Sequence, residues 1–245
     1  MNQFASSGDA TLFWEDFSRR RWGTYISNIE AETIRYAHQA VGQPSTALEI
    51  GAEGGRWSKL LFDLGWQVTC TEIDPVALAV CQQRIPESRC ILVDQDSTEF
   101  PCESNSQALV LAIEVHELVE QEWFTREVQR VLKPDGLFVG VFQNKHSWRA
   151  VLNLKSMLTG TMKHYTAGYL PWKKKTAASG FEFLREEGIC WMPFGRMSNS
   201  PLIPAATYLE KALCLRRLTA VSPWIVFAAK NCSAKTNGLG GSHES

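Results

Sequence analysis

Alternating apolar and polar segments divide the central part of the chain into predicted strands and helices. Short apolar runs of strand length alternate with longer stretches in which apolar residues recur every three or four positions. The predicted strands are the run starting at Ala47, Gln67–Glu72, Arg89–Val93, Ala108–Val115 and Leu137–Phe142. This alternation predicts a mostly parallel sheet with right-handed crossovers, in which ligands bind at the carboxyl ends of the strands.

The segments on either side of this region extend the predicted architecture. Aromatic residues from Phe13 to Ile29 recur with helical spacing, and a second helix is predicted at Glu30–Val41. The aromatic helix either covers the edge of the core or forms a lid that places Trp22 or Tyr25 over a ligand. The remaining predicted elements are a last helix at Phe181–Glu187, closing strands at Ile189–Phe194 and Trp224–Ala229, and an inserted helix within Ser200–Leu218.

A glycine-rich turn follows the first predicted strand. Gly51, Gly54 and Gly55 lack Cβ atoms, so the backbone can take a positive φ and a ligand can lie against it, close to the start of the next helix. The spacing does not fit the G-x-G-x-x-G dinucleotide pattern, and Glu53 inside the turn would repel a pyrophosphate. Glu49 and Glu53 suit a ligand that carries an amino group or a sulfonium centre.

The second predicted strand ends in an acidic residue, Glu72, about 20 residues after the glycine-rich turn. A carboxylate at this place in a βαβ unit can accept hydrogen bonds from both hydroxyls of a ribose. Asp74 is better placed to cap the helix that begins at Pro75. The two segments together predict a nucleoside-containing ligand.

Three motifs resemble those of class I S-adenosylmethionine (SAM)-dependent methyltransferases, in particular the UbiE-like, small-molecule group that includes quinone-biosynthesis enzymes. The first is the acidic and glycine-rich segment from Glu49 to Gly55, the second is the EIDP segment from Glu72 to Pro75, and the third is the RVLKPDG segment from Arg130 to Gly136. The resemblance covers about Ala47 to Phe142. One departure is Glu53, which replaces the usual middle glycine of the first motif.

The resemblance implies a Rossmann-like α/β class I methyltransferase fold, with a central, mostly parallel seven-stranded sheet, strand seven antiparallel, and helices on both faces. It implies residues 1–46 as an N-terminal helical cap, 47–230 as the methyltransferase domain with substrate-side insertions at 143–179 and 195–222, and 231–245 as a disordered tail. It implies SAM as the cofactor. The predicted cofactor-binding residues are Glu49, Gly51, Ala52, Glu53, Gly55, Glu72, Ile73, Asp96, Ser97 and Glu114. Asp96 takes the adenine-contacting place in an alignment without gaps, and Asp94 is the alternative.

The acceptor side is predicted from the residues that follow Phe142. Gln143–Trp172 and the apolar helix Leu202–Leu218 are expected to form a cover over a hydrophobic or aromatic small molecule. His116, His146 and Tyr165 are the possible proton acceptors, and His116 is the predicted catalytic residue because it follows strand four. The predicted reaction is methyl transfer to a small acceptor. Two alternatives stay open, a catalytically silent binding subunit and an RNA methyltransferase that uses Lys173–Lys175.

Charge and cysteine spacing limit the other possibilities. The formal net charge is −1, so no general attraction to nucleic acid is expected. Seven cysteines are scattered without a C-x-x-C pair, which predicts buried thiols in a reducing compartment and no metal site. The start of the chain lacks an apolar signal region, and no apolar stretch approaches the length of a transmembrane helix. The sequence therefore predicts a cytoplasmic protein, and it leaves the oligomeric state open.

Overall fold

The computed structural model describes residues 13–152 and 165–232. Within them, seven strands form one sheet in the order β3-β2-β1-β4-β5-β7-β6. The strands are β1 (Thr46–Ile50), β2 (Gln67–Glu72), β3 (Arg89–Leu92), β4 (Gln107–Ala112), β5 (Leu132–Gln143), β6 (Phe181–Ile189) and β7 (Trp224–Asn231). The pairs from β3 to β5 are parallel, whereas β7 runs antiparallel to both of its neighbours. The predicted fold class is confirmed, including the antiparallel seventh strand.

Helices cover both faces of this sheet. They are α1 (Phe13–Arg19), α2 (Arg21–Val41), α3 (Arg56–Asp63), α4 (Pro75–Arg84), α5 (His116–Val119), α6 (Glu122–Val131), α7 (Trp148–Leu152), α8 (Tyr169–Ala178) and α9 (Ile203–Ala212), with a short 3-10 helix at Leu215–Arg217. Alternate strand residues contribute to two separate cores. Leu109 and Leu111 of β4 pack with α2 and α3 on one face, and Val110 and Ala112 pack with α6 and α8 on the other. Burial of β4 on both faces explains its uninterrupted apolar sequence.

The N-terminal helices divide at a different place from the one predicted. The sequence pattern placed a boundary near Glu30, but α2 is continuous from Arg21 to Val41, and the break lies at Arg20. Gly23 explains the tight junction, because a Cβ there would lie 1.8 Å from the carbonyl oxygen of Phe17. The absence of a side chain lets α1 fold back against the start of α2.

The end of the predicted sheet also differs from the structure. Phe181–Glu187 was predicted as the last helix, but these residues form most of β6, which pairs along its length with β7. Of the predicted strand Ile189–Phe194, only Ile189 belongs to a strand. Gly188 does not end a helix; a Cβ there would lie 2.6 Å from the Cβ of Ser222. A seven-residue segment is too short for helical periodicity to outweigh antiparallel pairing.

The RVLKPDG segment contains the turn into β5. Helix α6 ends at Val131, and β5 already begins at Leu132. The residue with a left-handed backbone in this segment is Asp135, with φ of 63°. Gly136 is required for space instead, since a Cβ there would lie 2.9 Å from the carbonyl oxygen of Lys133.

The predicted tail and part of the first insertion lie outside the described residues. Asn231 belongs to β7, so the sheet extends one residue beyond the predicted domain boundary at 230. Residues 153–164 fall within the predicted substrate-side insertion 143–179, and 233–245 fall within the predicted tail. The division into a cap and a domain stays a prediction, although α2 packs directly on β5 and β7.

Candidate functional site

The site lies where β1, β2 and β4 end next to one another, at the point where the strand order reverses. The turn after β1 has three left-handed residues: Gly51 with φ of 67°, Glu53 with φ of 46° and Gly55 with φ of 73°. Glu53 therefore takes a conformation that glycine adopts more easily. The structure confirms the tight strand-to-helix turn predicted from the glycine cluster.

Both left-handed glycines are also required by the packing of the turn. A Cβ on Gly51 would lie 2.4 Å from Cγ1 of Val115, which follows β4. A Cβ on Gly55 would lie 2.6 Å from Sγ of Cys81 in α4. The side-chain positions that these glycines leave empty are thus filled by the protein itself. The backbone N–H groups of Ala52, Glu53 and Gly55 also donate to protein acceptors within or next to the turn.

Glu72 holds this turn to the end of β2. Its Oε2 accepts a hydrogen bond of 2.7 Å from the backbone N–H of Glu53. Its Oε1 accepts from the N–H groups of Ile73, at 2.7 Å, and Asp74, at 3.1 Å. The side chain is nearly buried, with 8% of the residue exposed. Because an ionised carboxylate offers about four acceptor positions, Glu72 can still accept hydrogen bonds from a ligand.

Helix α1 closes over the same turn. The backbone N–H of Trp14 donates to Oε1 of Glu53 at 3.2 Å, and Arg84 of α4 forms an ion pair with Glu15. Burial raises the pKa of Glu53. One interpretation of the sequence placed Trp22 or Tyr25 in a lid over the ligand, but both are buried in the core. Trp14 contacts the turn instead.

Glu49 is turned away from the turn and into the core. Its Oε2 accepts a hydrogen bond from Oγ of Ser58 in α3, and only 3% of the residue is exposed. Burial raises the pKa of Glu49 to about 8, with the nearby thiol of Cys70 adding to the shift. The structure thus places Glu49 behind the glycine-rich turn, where it holds α3 to β1.

The loop after β3 is exposed and is positioned by its own polar groups. Oδ1 of Asp94 accepts from the N–H of Asp96 at 2.8 Å, and Oγ of Ser97 donates to the carbonyl of Glu99. Asp96 and Ser97 are exposed.

An apolar surface lies near the end of β2. Three large apolar residues from the start of α4 and the ends of β2 and β3 are exposed there: Ile73, Val76 and Leu92. Leu92 is the register partner of Glu72. The surface therefore adjoins the predicted ribose contact.

Glu114 and His116 form a buried polar pair after β4. Oε2 of Glu114 lies 2.7 Å from Nε2 of His116, and their side chains are 4% and 5% exposed. Glu114 has a left-handed backbone with φ of 63°, which turns its side chain back toward the sheet edge. A second acidic group, Glu30 of α2, is fully buried beside them and lies 3.6 Å from Arg56.

Burial favours the neutral form of every member of this cluster. It raises the pKa of Glu114 to about 7 and the pKa of Glu30 well above its ordinary value, where the charge of Glu114 adds to the effect. It lowers the pKa of His116 to about 3, and the charge of Arg196 acts in the same direction. Near pH 6 the Glu114–His116 contact is therefore between two neutral groups rather than an ion pair.

Arg196 and two tryptophans surround this pair. The guanidinium of Arg196 lies 5.6 Å from the ring of Trp224 and 5.9 Å from the ring of Trp14. The ring of Trp224 lies 5.1 Å from that of His116. Of the other predicted proton acceptors, Tyr165 accepts a hydrogen bond from the indole of Trp224, whereas His146 is exposed.

Three charged residues of this site were missed by sequence analysis: Glu30, Arg56 and Arg196. A signal for Glu30 was present, since it stands on the apolar face of α2 beside Ile26, Ile29 and Ile34. An acidic residue among buried aliphatic positions indicates a paired or protonated group. Arg56 and Arg196 carry no such signal, because their places depend on the packing of distant segments.

The predicted acceptor cover is only partly supported. Helix α9 buries Ile203 and Glu210, whereas Leu202, Leu209 and Leu213 are exposed together with Leu218. The apolar side of this helix faces solvent rather than the site. An open groove of about 410 Å³ lies elsewhere, near the amino ends of β3 and β4, and none of the predicted cofactor residues lines it.

The cysteines are not scattered in space as they are in the sequence. Cys70, Cys81 and Cys90 converge so that their sulfur atoms all lie within 4.8 Å of one another. The sequence spacing predicted buried thiols and no metal site, and it gave no indication that these three sulfur atoms meet. They come from β2, α4 and β3, so their convergence depends on the tertiary fold.

Comparison with known proteins defines the class of this fold. Residues 48–140 match the family model described as a methyltransferase domain. A SAM-dependent methyltransferase from Mesorhizobium loti superposes with a TM-score of 0.54 at 17% identity, covering 80% of this chain and 96% of that one. A geranyl diphosphate C-methyltransferase from Streptomyces coelicolor A3(2), solved with S-adenosyl-L-homocysteine, gives 0.57 at 15% identity, covering 85% and 80%.

Residues 48–140 thus match a methyltransferase domain, and the fold of the chain is that of the SAM-dependent methyltransferases it superposes on, so the resemblance and the fold predicted from the sequence are confirmed. A methyltransferase-like protein of Schizosaccharomyces pombe is 24% identical over 159 residues, or 64% of this chain. The chain matches 60% of the length of that relative. No helix within residues 13–152 and 165–232 combines the length and hydropathy needed to cross a membrane.

Proposed function

We propose that this protein transfers a methyl group from SAM to a small hydrophobic or aromatic acceptor. The observation that carries the proposal is the hydrogen bond from the N–H of Glu53 to Glu72. It joins the glycine-rich turn to the acidic end of β2, and it leaves Glu72 able to accept from a ribose. Within a methyltransferase domain, this is the arrangement that a nucleoside cofactor requires.

Glu72 would bind the ribose hydroxyls, and the adjoining apolar surface formed by Ile73, Val76 and Leu92 would contact the adenine. Asp96 is the proposed polar contact at the adenine edge, with Asp94 positioning it through the backbone of the loop. The turn from Gly51 to Gly55 would lie against the amino-acid portion. When bound, SAM supplies a methyl group on a positively charged sulfur, and no metal is required for that chemistry.

The buried pair after β4 would serve an acceptor that must lose a proton. A histidine with a pKa near 3 stays deprotonated at neutral pH, but it accepts a proton only weakly. Glu114, with a pKa of about 7, is better matched to proton transfer at that pH. We therefore modify the role first assigned to His116: Glu114 accepts the proton, and His116 positions it through the 2.7 Å contact.

The experiment that tests the function combines binding and turnover. SAM affinity is measured by isothermal titration calorimetry, and methyl transfer is followed with isotopically labelled SAM in metabolite and lipid extracts by mass spectrometry. Micromolar SAM binding together with a labelled product supports methyl transfer. Absence of SAM binding to the folded protein contradicts the proposal.

One alternative is a SAM-binding subunit without activity. It is favoured by the packing of Val115 against Gly51 and by the bond from Trp14 to Glu53, since both enclose the turn. In that case SAM binds and no extract yields a labelled product, whatever the acceptor class.

An RNA methyltransferase is less consistent with the charges. Lys173 and Lys175 of the predicted basic cluster form ion pairs with Glu186 and Glu122. Pairing of this kind weakens the positive surface that phosphate contacts need. A small acceptor is therefore preferred, and labelled total RNA would be the observation that reverses this preference.

We also propose a reducing, cytoplasmic location. All seven cysteines fall within the described residues and are present as thiols. Thiols in close proximity, such as those of Cys81 and Cys90 at 3.6 Å, persist where the medium is reducing. Fractionation of cells with an antibody against the full chain tests the location.

A further inference from the structure

Three cysteine thiols meet on the side of the glycine-rich turn that faces the core. Cys70 lies in β2, Cys81 in α4 and Cys90 in the edge strand β3. Sγ of Cys81 lies 3.6 Å from Sγ of Cys90, and all three sulfur atoms lie within 4.8 Å of one another. Cys70 and Cys90 are register partners on adjacent parallel strands, which fixes two of the three sulfurs by sheet geometry.

Two serine hydroxyls border the same cluster. Oγ of Ser58 lies 3.0 Å from Sγ of Cys70, and Oγ of Ser88 lies 3.3 Å from Sγ of Cys90 and 3.9 Å from that of Cys70. Each hydroxyl donates its hydrogen elsewhere, Ser58 to Glu49 and Ser88 to the carbonyl oxygen of Ile85, and would rotate to donate to a thiolate once the thiols lose their protons. Groups in this position orient metal ligands and strengthen metal binding.

We propose that Cys70, Cys81 and Cys90 form a binding site for a thiophilic metal ion of the zinc type. The proposal is independent of the methyl-transfer function. Zinc takes thiolate ligands at about 2.3 Å, which places two sulfurs of a tetrahedral site roughly 3.8 Å apart. The Cys81–Cys90 separation of 3.6 Å is close to this value, and small side-chain rotations would bring Cys70 to it.

The chemistry of the cluster suits a soft ion. Three thiolates without histidine select Zn²⁺ or Cu⁺ over Mg²⁺ or Ca²⁺. Each thiol must release a proton when the ion binds, so binding should strengthen as pH rises. Cys90 is only partly buried, so an ion can enter from that side. A solvent molecule would complete a tetrahedral coordination shell.

The ion would bind directly beneath the cofactor turn. A Cβ on Gly55 would lie 2.6 Å from Sγ of Cys81, so the turn rests on this sulfur. Helix α4, which carries Cys81, begins immediately after Glu72 and Ile73. Metal binding would therefore fix α4 against β2 and β3 and stabilise the structure that holds Glu72.

The test is a titration of the full chain with Co²⁺ and then Zn²⁺ in a buffer with a non-thiol reductant. Co²⁺ should give intense thiolate-to-cobalt absorption and tetrahedral d–d bands at one ion per chain, and Zn²⁺ should displace it. C90S should lower the affinity by about 10–100-fold or more. C214S removes an exposed thiol outside the cluster and should leave the affinity unchanged.

A second measurement uses the wild-type chain, so its result does not depend on whether the cysteine variants fold. Zn²⁺ should slow alkylation of Cys90 by iodoacetamide, as resolved by peptide mass spectrometry, and should leave Cys214 as reactive as before. Metal binding that persists in C90S and C81S, or alkylation of Cys90 that Zn²⁺ does not slow, overturns the proposal. A Cys81–Cys90 disulfide formed without any metal affinity of the reduced protein would also overturn it.

Discussion

The carboxylate of Glu72 accepts a hydrogen bond of 2.7 Å from the backbone N–H of Glu53, and this bond ties the turn after β1 to the end of β2. Glu53 itself has a left-handed backbone, which turns its amide toward Glu72. Glu53 replaces the usual middle glycine of the motif, yet its backbone keeps the left-handed conformation that glycine adopts most easily. Both the turn and the proposed ribose contact depend on Glu72.

Replacement of Glu72 by alanine should reduce SAM affinity by about 1–3 kcal/mol, because the ligand hydroxyls and three backbone amides lose a charged acceptor. Calorimetric titration measures the loss. Glu87 is an exposed acid before β3, so E87A is the matched control and should bind normally. Equal affinity for E72A and the wild type would remove Glu72 from the site.

Substitution of Gly51 tests the packing of the turn. The structure predicts loss of stability even for G51A, since a left-handed alanine costs about 1–3 kcal/mol and its Cβ would lie 2.4 Å from Val115. Chemical denaturation measures this free energy of unfolding.

The matched control is Gly195→Ala, because a Cβ there meets nothing within 4 Å. It should leave the stability within about 0.5 kcal/mol of the wild type. A G51A/V115A double variant should recover the part of the loss that comes from overlap, and the strain of the positive φ should remain. A G51A variant as stable as the wild type would show that the turn can relax.

The sheet could be predicted from the sequence because local patterns determine it. Buried parallel strands require continuous apolar runs such as that ending at Ala112, and the reversal after β1 requires glycine at Gly51 and Gly55. Once the strands are located, the positions of their carboxyl ends are known, and Glu72 and Glu114 stand at or just past two of these ends. The failure at Phe181–Glu187 has a physical cause, since that segment is defined by pairing with β7.

The rest of the site depends on contacts between distant segments. Glu30, Glu114 and Arg196 come together from α2, from the end of β4 and from the segment before α9. Likewise, Cys70, Cys81 and Cys90 are spaced by 10 and 8 intervening residues, and only the packing of α4 against β2 and β3 brings them together. No single local pattern encodes such clusters.

The stability of the protein should fall as pH rises from about 4.5 to 8, in part because of Glu49. Its pKa is about 8 in the fold and 4.5 in the unfolded chain, so the folded state retains a proton that the unfolded state releases. Full stability from this group is present below pH 4.5 and is lost through pH 8. The E49Q variant should show a shallower decline of Tm between pH 5 and 9.

The size of the Glu49 effect follows from its burial. A shift of this size corresponds to about 3–5 kcal/mol between the two ends of the range, and glutamine keeps an acceptor for Ser58. His116 acts with the opposite sign, since its lowered pKa makes the protein lose stability as pH falls from 6.5 toward 3. An E49Q curve parallel to that of the wild type above pH 5 would contradict the buried, protonated state of Glu49.

The last prediction concerns the pair after β4 and applies once an acceptor is found. If Glu114 accepts a proton from the acceptor, turnover should rise with pH through about 7, since only the deprotonated form can act. E114Q should lower the turnover rate by about 10²–10⁴-fold and keep SAM affinity. H116A should lower the turnover rate less and should change the apparent pKa of the rate profile, because the 2.7 Å contact is lost.

The exposed neighbour Glu117 gives the control E117Q, which should leave the turnover rate and its pH profile unchanged. A flat rate between pH 6 and 9, unaltered in E114Q and H116A, would mean that the acceptor needs no base and that the buried pair serves only to close the end of β4.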